Sequence, residues 1–241
     1  MLIKTRAIVL HSIKFGESQY IVDMFAEETG RVAFIQKVLP SGRGKIRKQL
    51  FPPLSLLDIE FDLRSKVRLQ RLKEARLLVP YATIPFDPYK LSLTIFVAEF
   101  LLHVTRNEQQ NKPLFEYVAA SLQWLDGCER SFSNFHLVFM MRLSLFVGFF
   151  PNLDEAGDGV FFDFRAGCFV RQQPLHPDFL APADAARLRV LMRLPFDNMH
   201  LFAMSRVERN LCVDFILKYY RLHFPDFPEM KSLDVMKSLF A

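Results

Sequence analysis

The sequence predicts a mixed α+β chain, a strand-rich barrel followed by a helical region, and three observations carry that prediction. Residues 1–80 alternate with the two-residue period of strands, the residues from about 89 onward repeat with the period of helices, and a proline-punctuated stretch separates the two. With 241 residues and 51% hydrophobic content, the chain can bury a sizeable core, either as one large domain or as two small ones. The expected division is 1–80 and 81–241, the second part interrupted by a hairpin insertion at about 151–175.

The strands come first. "LIKTRAIVLHSI" is strand-like, and in "IVDMFAEETGRVAFIQKV" two β-branched and aromatic runs flank a turn in which Gly30 supplies the positive φ of a hairpin. "LSLLDIEFDLRSKVRLQRLKEARLLV" adds further runs, giving about five short strands, enough for a small closed or partly open barrel. In "RSKVRL", period two places Arg64, Lys66 and Arg68 together on one strand face.

Pro80, Pro85 and Pro88 deny "LLVPYATIPFDPYK" a regular ladder and make it an extended connector. Helices are expected at 89–105, 113–126 and 133–148, with Pro113 near a start and Gly127, Gly148 and Pro151 at or past ends. "FHLVFMMRLSLFVGFF" is apolar nearly all round, so it belongs at the centre of a bundle. After the acidic, Gly-rich stretch from 151, a hairpin turns at Arg165, Ala166 and Gly167, and helices resume at 182–194 and 204–223, with a short one at the end. In "RVERNLCVDFILKYYRL", Val207, Leu211, Phe215, Tyr219 and Leu222 trace a stripe expected to be buried. Arg206, Arg209, Lys218 and Arg221 lie outside that stripe as a weak candidate partner-binding face.

Charge divides unevenly. Residues 1–80 hold 15 Lys and Arg against 8 Asp and Glu, whereas residues 81–241 hold 16 against 18. Between Glu28 and Asp58 there are six cations, Arg31, Lys37, Arg43, Lys45, Arg47 and Lys48, and no acid. Such a segment points to a polyanion, either a nucleic acid or an anionic membrane surface. Gly42 and Gly44 let the loop approach a phosphate chain closely. The expected binding residues are Lys37, Arg43, Lys45, Arg47 and Lys48 with Arg64, Lys66 and Arg68. Phe34 and Phe51 read as core rather than as stacking platforms.

Other chemistries find little support. Cys128, Cys168 and Cys212 form no CxxC pair and no disulfide framework, which favours a reducing cytoplasm. Lys4, Arg6 and Lys14 interrupt any secretory apolar region, and the longest apolar runs, about fourteen residues, fall short of the twenty that a membrane span needs. The six histidines have neither HxH nor HExxH spacing, and GxSxG, GxxxxGK[ST] and GxGxxG are absent. Asp154, Glu155, Asp158 and Asp163 read as a solvated turn; a hydrolase using Asp154, Asp158 or His176 with a divalent cation is the enzymatic rival. No enzyme and no cofactor are expected.

"AIVLHSIKFGESQYIVDMFAEETGRVAFIQKV", the basic loop after it, "VGFFPNLD" and "YYRLHFPDFPEMKSLDVM" together resemble, in order and over essentially the whole chain, the bacterial RecO family of recombination mediators. The resemblance implies an N-terminal OB-fold joined to an α-helical domain. It implies binding of single- and double-stranded DNA, annealing of complementary strands, and work with RecR and the single-stranded DNA-binding protein, whose acidic, apolar-ended C-terminal tail would dock on the helical part, to load RecA. It implies a cytoplasmic, nucleoid-associated protein. Many members of that family hold a structural zinc on four cysteines after the segment matching "VGFFPNLD"; here that loop has Cys168 as its only thiol, so no zinc is expected.

Overall fold

The structure, a computed structural model, describes residues 1–38, 46–224 and 226–239. It divides into two compact units, residues 1–127 with 230–236, and residues 128–229 with 237–241.

The first unit is built on six strands: β1 (Leu2–Phe15), β2 (Gln19–Ala26), β3 (Gly30–Lys37), β4 (Leu56–Asp62), β5 (Leu69–Gln70) and β6 (Leu72–Leu77), ordered β5-β3-β2-β1-β4-β6. Only Arg71 separates β5 from β6, so the two act as one interrupted strand. Its start pairs in parallel with β3 and its continuation pairs antiparallel with β4. The sheet therefore closes on itself as a five-stranded barrel of OB type. Alternation decides its interior: Val9, Val22, Met24, Phe34, Leu57, Ile59 and Phe61 point inward and are buried, with Phe34 and Phe61 edge to face at 5.0 Å. Phe51 joins this core, so both aromatic residues next to the basic loop are core residues.

Gly30 takes the expected positive φ, +70°, at the β2–β3 turn. It also lies against the backbone of Glu108 and Gln109, and the Arg31 N–H donates to the Glu108 carbonyl at 3.0 Å.

The helices α1 (Pro88–Val104) and α2 (Lys112–Gly127) complete this unit, α1 packing on β1. Asp126, near the end of α2, accepts hydrogen bonds from the N–H groups of Ala82, Thr83 and Ile84 at 2.8–2.9 Å. Burial would raise its pKa, but these three donors hold it below the usual carboxylate range. A carboxyl depressed on folding stabilises the fold above its unfolded pKa and loses that contribution as pH falls through the folded value. Asp126→Ala is therefore expected to cost about 2 kcal/mol at pH 7, because it strands three donors, and to cost progressively less from about pH 4 downward. Urea titrations at both pH values check this; an equal loss at each would contradict it.

The second unit contains α3 (Phe135–Phe146), β7 (Phe161–Asp163), β8 (Cys168–Val170), β9 (Phe179–Leu180), α4 (Pro182–Arg193) and α5 (Arg206–His223); α6 spans Leu233–Leu239. Helix α3 is buried on nearly every side, as its all-round apolar sequence requires. Ser205 and Glu208 form a capping box at the start of α5.

Two sequence expectations are corrected. The buried stripe of α5 is Cys212, Val213, Ile216, Leu217, Tyr219 and Tyr220, while Val207 is 76% exposed and Leu211 and Leu222 are exposed as well. The helix is rotated relative to the expected stripe because Tyr220 turns inward to donate to the Met140 carbonyl at 2.7 Å. The second correction concerns "RSKVRL", of which only Leu69 belongs to a strand. Residues 63–68 form a loop stitched by the buried Gln70 side chain, which accepts from the Arg64 N–H and donates to the carbonyls of Arg64 and Val67. That amide supplies hydrogen bonds a neighbouring strand would otherwise provide.

Candidate nucleic-acid interface

The cations of the barrel fall into two sets. In the first, Lys4 pairs with Glu60, Arg6 with Glu27 and Glu116, Arg31 with Asp23, Lys73 with Asp62, and Arg76 with Asp58. The consequence is visible on the acids: the Arg6 hydrogen bond holds the Glu27 carboxyl below its ordinary range, and Lys73 does the same for Asp62. These residues spend their charge internally.

The second set contains the expected binding residues. Lys37 ends β3 and is exposed; Arg47 and Lys48 are exposed at a 3₁₀ turn, Lys48–Leu50. The Lys48 Nζ stands 5.8 Å from the centre of the Tyr20 ring on β2. Arg64, Lys66 and Arg68 are all exposed in the β4–β5 loop. Among the described residues, no ion pair engages Lys37, Arg47, Lys48, Arg64, Lys66 or Arg68. Arg43 and Lys45 lie outside the described residues.

Arg71, which the sequence reading missed, belongs with them. It is exposed and shares a groove of about 450 Å³ with Ile35, Arg64, Val67, Leu69 and Lys73. The parallel register, Ala33 opposite Leu69 and Phe34 opposite Gln70, sets β5 against the middle of β3, with Arg71 one residue further on. The only sequence signal was that Arg71 continues the basic run from Arg64. The exposed cations of the loop thus continue through Arg71 to a position beside Ile35 on β3. In OB-type barrels the β4–β5 loop and the face of strands 2 and 3 are where oligonucleotides lie.

The candidate partner face on α5 is dispersed. Arg206 donates to the carbonyls of Lys237 and Ser238, Arg209 to Asn134 and the Met204 carbonyl, and Lys218 pairs with Asp178. Arg221 is exposed.

The rival catalytic groups are not brought together. Asp158 pairs with Arg189, while His176 contacts Asp163 at 3.2 Å through Nε2 and accepts from the Asp178 N–H through Nδ1. Among the described residues, no group of three or more His, Cys, Asp and Glu is arranged to hold a metal ion. The hairpin's residues do not fit a four-thiolate zinc site. Asp163 ties its turn by accepting from the N–H groups of Arg165 and Ala166, and Phe162, Phe164 and Phe169 cluster with Tyr219. No helix is long and apolar enough to cross a membrane among the described residues.

Two family models match the chain in succession. Residues 1–81 match the family model described as "Recombination protein O N terminal", and residues 85–233 match "Recombination protein O C terminal". Proteins named "DNA repair protein RecO" from Phocaeicola vulgatus and Bacteroides fragilis are 49% and 47% identical over 241 residues, each comparison covering all of both chains. One of the same name from Flavobacterium psychrophilum is 30% identical over 243 residues, again at full coverage of both chains.

Proposed function

The chain belongs to the RecO family of DNA repair proteins, and from that premise we propose that it is a recombination mediator that binds single- and double-stranded DNA and anneals complementary strands. The observation that carries the reading is the set of exposed cations on the barrel that no ion pair engages among the described residues: Lys37, Arg47, Lys48, Arg64, Lys66, Arg68 and Arg71. Arg43 and Lys45, within the same basic segment, are assigned to it as well. Residues 1–80 act as the DNA-binding part and residues 81–241 as the helical part.

The mechanism is electrostatic. Two DNA strands repel through their phosphates, and a cationic surface that releases condensed counterions from both lets complementary bases meet and pair. No bond is made or broken, so neither nucleophile nor metal is required, and the protein is not an enzyme. It works in the cytoplasm at the nucleoid. It acts with RecR and with the single-stranded DNA-binding protein, whose acidic tail docks on the helical part, Arg221 being an available cation there, and it helps load RecA.

Annealing of complementary oligonucleotides coated with the single-stranded DNA-binding protein tests the reading. The expected result is rapid duplex formation only when this protein is present. Annealing no faster than in its absence would count decisively against a mediator.

A further inference from the structure

Among the described residues, β6 has a strand on one side only. Two register pairs, Ala33 with Leu69 and Phe34 with Gln70, close the seam between β5 and β3, and from Leu72 onward β6 pairs with β4. Lys73, Glu74, Arg76, Leu77 and the following Leu78 are exposed. The Leu78 N–H donates to the Leu56 carbonyl at 2.9 Å, so the alternation of an antiparallel ladder turns the N–H and C=O groups of Ala75 and Leu77 away from β4, toward the edge. An edge of this kind is a template for another strand.

Its outward side chains carry a mismatch. Register sets Glu74 directly opposite Glu60 on β4, where like charges repel. Glu60 has Lys4 as its partner and Arg76 has Asp58, while no ion pair engages Glu74 among the described residues.

We propose that β6 pairs with β6 of a second copy of this chain, antiparallel about Ala75, to give a two-fold symmetric dimer. Closed two-fold symmetry requires the antiparallel arrangement, and the charges choose the register. An axis at Ala75 sets Glu74 opposite Arg76 of the second copy, and Arg76 opposite Glu74 of the second copy, so both Glu74 carboxylates gain a cation across the seam. The same axis brings the outward N–H and C=O groups of the two Ala75 residues face to face. An axis at Lys73, Glu74 or Arg76 would instead set identical charges against each other. A six-residue strand buries less than the ~1,000 Å² of a stable interface, so the association is weak and concentration-dependent. The pairing rests on the barrel alone; where the DNA-binding reading holds, the dimer carries two copies of the exposed cation set, one for each of two strands.

Sedimentation velocity of the full chain, from about 1 to about 100 μM, tests this. The expected result is a monomer at the low end and a growing fraction of dimer toward the high end. Glu74→Arg alone and Arg76→Glu alone are each expected to weaken association about tenfold, because each sets like charges opposite one another at both symmetry-related positions. An equimolar mixture of the two variants should recover the dimer, since position 74 of one and position 76 of the other again carry opposite signs. Both side chains are exposed, so the melting temperature of each variant should hold. A parent protein that stays monomeric throughout, single variants that dimerise as the parent does, or a mixture that stays monomeric would each overturn the inference.

Discussion

Replacing Arg64, Lys66 and Arg68 together by Gln is expected to lower affinity for a single-stranded oligonucleotide about a hundredfold at 0.1 M salt. The estimate follows from counterion release: each neutralised phosphate on a single strand contributes about −0.7 to the slope of log K against log salt, and three such contacts amount to about two decades between 1 M and 0.1 M. The slope itself should become shallower by about 2. Stability should not change, because all three side chains are exposed and no ion pair engages them among the described residues. Exchanging Arg43, Lys45, Arg47 and Lys48 for Glu is expected to weaken binding in the same way, with a sign reversal adding repulsion. A folded triple variant with unaltered affinity and slope would remove the β4–β5 loop from the interface.

Gly30→Ala is expected to destabilise the fold strongly. The left-handed φ of +70° costs a residue with a Cβ about 1–2 kcal/mol. The added methyl would also run into the backbone of Glu108 and Gln109, which cannot rotate away as a flexible side chain could. Overpacking of this kind costs a further 1–3 kcal/mol or so. A total of about 3 kcal/mol corresponds to a fall in melting temperature of about 10 °C for a chain of this size. A fall of only a degree or two in a calorimetric scan would show that the 108–109 backbone yields easily.

The two residue types behind these predictions differed in how far the sequence revealed them. Gly30 could be read directly, because a glycine between two alternating runs has one common use. The cost of filling it could not, since the backbone it meets arrives from nearly eighty positions along the chain. The basic residues were legible as a group because charge is additive. Their setting was not: Arg, Ser, Lys, Val, Arg alternates as well in a turn as in a strand, and the buried Gln70 amide selects the turn. The rotation of α5 had a similar cause. Its apolar residues occupy so much of the circumference that two stripes fit, and packing that includes the Tyr220–Met140 hydrogen bond chooses between them.

What the sequence determined by itself is whatever depends on neighbours in the chain or on sums over it: helical and strand periods, the β2–β3 turn, the all-apolar α3, and the positive excess of the first third. Tertiary structure decided which cations stay unpaired and which apolar residues stay open. Arg6, Arg31 and Lys73 look no different in sequence from Arg64, Lys66 and Arg71, yet the first three meet carboxylates and lose their availability. Ile8 and Ile13 lie on the same strand, but one is buried and the other is left uncovered. Neutralisation and coverage are properties of pairs brought together from distant parts of the chain, and strand register and helix placement set those pairs.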